Sequence, residues 1–229
     1  MKDNVRLLTT RVTRVRFAFM AVLALASIVG SATQAAAQRV APPATSDLIA
    51  VPVGNSAFLF GHGVGTQGYI CLPTSAGAST AAWNANNARP EATLFATFFG
   101  QNIQIITHFL SPDTNPNPDT APNPLPFGSV TWQSSFDSSK VWAQKKNAVA
   151  AGSEDSCPNT GAIACVLLQS IGSENGPTGG RLLSQTTFIQ RLNTKGGSAP
   201  TDGCFVSADV GKQALVPYSA DYFFFRKDQ

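Results

Sequence analysis

Charge is scarce in this chain: Asp, Glu, Lys and Arg make up 13% of its 229 residues. Long solvent-exposed helices draw heavily on Glu, Lys and Arg, so they are not expected here. No stretch beyond residue 37 shows a long amphipathic helical pattern. A basic excess is missing too, once the chain is divided. Lys2, Arg6, Arg11, Arg14 and Arg16 are five of the 16 basic residues, and Asp3 is one of the 13 acids, so 11 basic and 12 acidic residues remain beyond residue 37. That balance leaves no polybasic face for nucleic acid or an anionic membrane surface. Histidine occurs twice, as His62 and His108, and neither is spaced with a second histidine or a cysteine as a ligand pair. With no C-x-x-C either, a zinc centre is not expected. The G-x-x-x-x-G-K-[ST] and G-x-S-x-G patterns are absent, which removes the common phosphate-loop and nucleophile-elbow chemistries. The glycines of Gly61-His62-Gly63-Val64-Gly65 are followed by a strand-like run, not a helix, so they offer no helix N-terminus to a dinucleotide. A turn or bulge is expected there.

What is present starts with a leader. The basic residues named above precede an uncharged apolar run, Phe17 to Gly30, and Ala35-Ala36-Ala37 supplies an A-x-A cleavage site. This order predicts a signal peptide over residues 1–37 and a secreted or periplasmic mature protein beginning near Gln38. No second long apolar run follows, so no membrane span is expected after removal of the leader. Residues 38–47 read as a flexible N-terminus, and residues 48–229 as a single domain.

All four cysteines, Cys71, Cys157, Cys165 and Cys204, lie beyond the leader. An even number in an exported protein predicts two disulfides, for which three pairings exist. Cys157 and Cys165 bracket a short segment with Pro158, Asn159 and Gly161 and could close a small loop, leaving Cys71 with Cys204.

The domain reads as all-β. Val64 to Leu72 alternates as a strand does, with Gln67, Tyr69 and Cys71 on one face. Thr93 to Phe99 and Ile103 to Phe109 form two runs around a turn at Gly100-Gln101-Asn102. Residues 74–90 read as a loop anchored by Trp83. Residues 111–128, with six prolines, form a Pro/Asn-rich insertion in which regular structure is barred. Cys165 to Ile171, Arg181 to Asn193 and Tyr218 to Phe225 read as strands, the second because Thr186, Thr187 and Ile189 favour extended backbone. About ten short strands with frequent turns predict a β-sandwich or barrel-like fold with long loops.

Three residues are candidates for function: His62, His108 and Asp221. The two histidines with Asp221 or Glu91 could hold a divalent ion if they converged, and His108 could act in proton transfer. On the last strand Asp221 shares a face with Phe223 and Phe225, so its carboxylate needs a partner, for which Arg191 and Arg181 are available.

The segments GVGTQGYIC (63–71), RPEATL (89–94), THF (107–109), TTFIQRLNTKGGSAPTDGC (186–204) and VPYSADYFFF (216–225) resemble a secreted bacterial and fungal family known as a domain of unknown function. The pair matching Cys71 and Cys204 belongs to its shared pattern, which supports their bond. Residues 111–128 and the Cys157–Cys165 segment look like additions. The resemblance implies a compact exported β-rich domain and supplies no activity. The chain thus reads as an exported, disulfide-containing binding or envelope-associated module, with no cofactor and no assigned catalytic or metal-binding residue. Its ligand would be a cell-envelope component or carbohydrate. The alternative is a secreted hydrolase or metal-dependent enzyme using His108 with a nearby carboxylate.

Overall fold

In the computed structural model, residues 40–84, 89–111 and 129–229 are described. They form nine strands: β1 (Asn55–Pro73), β2 (Ala81–Asn84), β3 (Pro90–Phe98), β4 (Gln101–Ser111), β5 (Ser129–Ser134), β6 (Lys140–Val149), β7 (Cys165–Glu174), β8 (Phe188–Gly196) and β9 (Gln213–Lys227). Every pairing is antiparallel, and a 3-10 turn at Ser207–Asp209 is the sole helical element among the described residues. The sheet runs β1-β3-β4-β5-β6-β7-β8-β9, and β9 returns to β1 from Asn55↔Lys227 to Ile70↔Gln213. Eight strands thus close into a barrel, which removes exposed strand edges. β2 is a side flap on the end of β1, paired from Ile70↔Asn84 to Pro73↔Ala81.

The closure depends on the glycines near residue 61. They are neither a turn nor a bulge, as the sequence suggested, but the middle of a continuous 19-residue strand. A Cβ on Gly63 would stand 2.7 Å from Tyr222 Cε2, and one on Gly65 would stand 1.9 Å from the Glu91 carbonyl oxygen. The absent side chains let β1 coil closely against β9 and β3. The register shift in β1 falls earlier, between Ala57 and Leu59.

Other elements also shift from expectation. The β3–β4 turn is at Phe99 (φ 50°) and Gly100 (φ 78°), one residue before the expected place. Two consecutive positive φ values give the two-residue turn whose twist suits a hairpin. The expected strand over Arg181 to Asn193 starts only at Phe188. The residues before it are held elsewhere. Asp137 Oδ2 accepts from the Leu182 N–H (2.9 Å), and Ser139 Oγ accepts from the Leu183 N–H (2.9 Å). These bonds seat the fully buried Leu183 in the interior core. Within the expected 74–90 loop, β2 forms, and Trp83 Nε1 donates to the Asp202 carbonyl (2.9 Å). The 111–128 insertion lies, apart from Ser111, outside the described residues.

Two apolar layers result from the alternation along each strand. One is inside the barrel, where Leu94, Ile106, Trp132, Val141, Ile189 and Phe224 meet. The other is on the outer face of β7, β8 and β9, where Leu167, Phe188, Leu192, Phe223 and Phe225 are covered by Ile49 and the Cys157–Cys165 loop. Gln190 Nε2 fixes this cover by donating to the Ile49 carbonyl (2.8 Å). Both disulfides are Cys71–Cys204 and Cys157–Cys165.

Candidate functional site: the interior of the barrel

The inner core fills only one end of the barrel. At the other end β1, β4 and β6 finish and β3, β5 and β7 begin, and there the walls line an open-mouthed cavity of about 660 Å³. A volume of this size suits a small organic ligand. Its walls are chiefly apolar, with Val130, Trp132, Ala143, Ile163, Val166 and Leu168 among them. The polar groups come from β1 (Gln67, Tyr69), β4 (His108), β8 (Arg191), the loop after β8 (Ser198) and β9 (Tyr222), with Lys145 of β6 exposed beside them.

Each of these side chains is inward because of strand register. Arg191 pairs with Val166 on one side and Tyr222 on the other, both of which line the cavity. His108 pairs with Trp132, and their rings stack with centroids 4.2 Å apart. The imidazole Nδ1 lies 2.9 Å from the Thr131 carbonyl oxygen, so Nδ1 carries the proton and donates. Burial pushes the His108 pKa down to about 3; the Thr131 bond opposes this, and the Arg191 charge adds to it. His108 is therefore a neutral ring at physiological pH. Among the described residues no carboxylate bonds to it.

Two tyrosines, Tyr69 and Tyr222, belong to the polar lining, and a third, Tyr218, stands behind Tyr222. Tyr69 donates its hydroxyl to the Gly197 carbonyl (2.6 Å), and the hydroxyls of Tyr218 and Tyr222 are 2.9 Å apart. Burial raises the pKa of all three, against an opposing pull from the Arg191 charge, and the mutual interaction with Tyr222 raises Tyr218 further. They remain phenols, not phenolates. Arg191 itself donates through Nη2 to the Ala164 carbonyl (2.8 Å), and its side chain also reaches the Tyr222 hydroxyl. Its Nε and Trp132 Nε1 are shielded and have no hydrogen-bond partner among the described residues. Among the described residues no carboxylate pairs with Arg191, and no Asp or Glu lines the cavity.

His62 and Asp221 are on the opposite surface of the wall. His62 pairs with Asp221 across β1 and β9, and its Nδ1 is 2.8 Å from Asp221 Oδ1. Asn193 Nδ2 donates to Asp221 Oδ2 (2.9 Å). The expected arginine partner for Asp221 is thus replaced by His62 and Asn193. Strand alternation explains the difference: Arg191 faces inward beside Tyr222, while Asp221, next in the chain, faces outward. His62 and His108 do not converge, and Glu91 is exposed on β3. Among the described residues no group of three His, Cys, Asp or Glu side chains is placed to hold a metal ion.

The sequence singled out His108, but it treated Arg191 only as an ion-pair partner and passed over Gln67 and Trp132 as lining residues. A signal for Arg191 was present. In Phe188-Ile189-Gln190-Arg191-Leu192, Arg191 shares a strand face with Ile189, so a cation falls on an apolar inner face.

The sequence pattern of the family described as "Protein of unknown function (DUF3455)" matches residues 52–226, from just before β1 almost to the end of β9. The chain belongs to this family. Among curated proteins and among solved structures, nothing matches it. Family membership therefore joins a closed, disulfide-bonded barrel to no described activity. Among the described residues no helix is long and apolar enough to cross a membrane. The two disulfides are consistent with an oxidising compartment.

Proposed function

We propose that this DUF3455 protein is an exported binding module that holds a small, largely apolar molecule inside its barrel. The observation that carries this reading is the cavity of about 660 Å³ at one end of the barrel, walled by Trp132, Ala143, Val166 and Leu168. An eight-stranded barrel has just enough interior either to fill with side chains or to hold one small ligand. Here the far end follows the first pattern and the near end the second. The apolar walls favour an apolar body over a carbohydrate, whose hydroxyls would each need a polar partner. Binding is favoured over catalysis because His108, the residue best placed for proton transfer, is held neutral and is stacked on Trp132 with no carboxylate bonded to it. Export rests on the leader, whose cleavage after Ala37 would leave Gln38 as the first residue. Mass spectrometry of protein recovered from the envelope or medium tests that step, and an intact leader contradicts it.

The binding test uses N-phenyl-1-naphthylamine, a neutral dye that fluoresces in apolar surroundings. Mature protein should enhance its emission saturably. Ala143→Phe should reduce that binding by about tenfold or more, since the added ring occupies the cavity, with far-ultraviolet circular dichroism unchanged. A folded Ala143→Phe protein that binds the dye as well as the wild type contradicts an interior site.

A further inference from the structure

We propose that the ligand is an amphipathic organic anion, whose acidic head is received by Arg191 while its apolar body fills the cavity. This rests on the interior-binding reading above and adds the sign of the ligand's charge. The argument is one of unmatched charge. Arg191 is the inward-facing cation of β8, and a guanidinium stays charged at every physiological pH. Arg191 is partly withdrawn from water, with its Nε fully shielded, and a charge so placed is stabilised by a counter-charge or further hydrogen bonding. Among the described residues Arg191 has neither: one carbonyl and one phenol serve it, and its Nε has no partner.

No described lining group supplies the missing negative charge. Tyr69 and Tyr222 are phenols, His108 is neutral, and the second ionic group at the cavity, Lys145, is also a cation. The carboxylate nearest to Arg191 in sequence register, Asp221, is turned to the outer surface and bonded to His62 and Asn193. The cavity thus has one cation facing inward, a second exposed beside it, and no acid among its described lining residues. The head group's chemistry follows from the fork of Arg donors, which matches the two oxygens of a carboxylate or the oxygens of a sulfonate. Val130, Trp132, Ile163 and Leu168 set the body's chemistry as hydrocarbon or aromatic. An inorganic anion would leave those walls uncovered.

The test compares three ligands with the same ten-carbon chain on the mature wild-type protein: decanoate, 1-decanol and decyltrimethylammonium. Each is scored by displacement of N-phenyl-1-naphthylamine. Decanoate should displace the dye at a concentration at least about tenfold lower than decanol, the factor expected of one charged hydrogen-bonded pair. The ammonium should be the weakest, and inorganic phosphate should not displace the dye. Arg191→Gln should bring decanoate to the level of decanol while leaving decanol within about twofold of wild type. Lys145→Gln, at an exposed position, should weaken decanoate by a smaller factor. Equal displacement by decanoate and decanol on the wild type overturns the proposal but leaves interior binding standing, and this comparison does not depend on any variant folding. Displacement by phosphate alone overturns it in favour of a simple anion site. A wild-type protein that binds neither dye nor any of the three chains overturns the interior reading itself.

Discussion

The two disulfides should contribute unequally, by an amount that the fold allows one to work out. Cys71–Cys204 closes 133 residues and Cys157–Cys165 closes 8. Loop-closure entropy at 25 °C then assigns about 5 kcal/mol to the long bridge and about 2.5 kcal/mol to the short one, as upper values. Local packing moves both in the same direction. Cys71 and Cys204 are buried with Ala81 against the half-buried Trp83, and the bridge fixes the end of β1 to the segment after β8. Cys157 and Cys165 are fully buried among Leu167, Phe188 and Leu192. Serine hydroxyls there would still have Thr194 Oγ1 close by, since it lies 3.8 and 3.5 Å from the two sulfurs. The double variant Cys71→Ser/Cys204→Ser should therefore lose about 2 to 3 kcal/mol more than Cys157→Ser/Cys165→Ser. Equilibrium urea unfolding of the oxidised proteins, with slopes compared, gives the numbers, and non-reducing peptide mapping confirms the connectivity. The reasoning is refuted if the short pair costs as much as the long one, or if mapping links Cys71 to Cys157 or Cys165.

Three further outcomes follow from particular contacts. Gly65→Ala should destabilise by about 3 kcal/mol or more, because its Cβ meets the Glu91 carbonyl and Ala92 backbone of β3; an unchanged midpoint in thermal unfolding would show that β1 has room to shift. Asp137→Ala should cost about 2 kcal/mol at neutral pH by removing the acceptor for the Leu182 N–H and for Ser139. Partial burial pushes the Asp137 carboxyl up, but those hydrogen bonds win and bring its pKa down to about 2, so its contribution is whole above about pH 4 and fades as pH falls towards 2. A gap between wild type and Asp137→Ala that persists undiminished at pH 2 would contradict this. His108 has the opposite chemistry and the same sign: its folded pKa of about 3 lies below the unfolded value of about 6.5, so protons bind the unfolded chain first. Wild-type stability should fall as pH drops from about 6.5 towards 4, by up to about 1.4 kcal/mol per pH unit. His108→Phe should lack that slope in urea titrations, and an equal slope in both proteins would refute a buried neutral imidazole.

The barrel was largely legible in the residues, because period-two alternation decides strand faces locally. Gln67, Tyr69 and Cys71 fall together on the buried side of β1 as read, and Tyr222 and Phe224 are fully buried. Elements fixed by distant partners were less so. Gly61 to Gly65 have the composition of a turn, and only Tyr222 and the β3 backbone reveal them as a strand that must lack side chains. Likewise Thr186 and Thr187 favour extended backbone, yet Asp137 and Ser139, more than forty residues earlier, pin the preceding leucines instead. Of the candidate residues, His62 and Asp221 meet each other and His108 faces the cavity. The apolar face that carries Arg191 could be read from its own strand, but its cross-strand neighbours could not: the β8–β9 register sets Arg191 opposite Tyr222 and leaves Asp221 on the outer face.

The most direct measurement is a crystal structure of the mature protein with 10-bromodecanoate, located by the anomalous signal of bromine. The predicted result has the carboxylate at the guanidinium of Arg191 and the bromine inside the barrel among the apolar cavity walls. Bromine found only on the outer surface, for instance at the exposed Phe98 and Phe99 or beside His62 and Asp221, would contradict an interior site for an amphipathic anion.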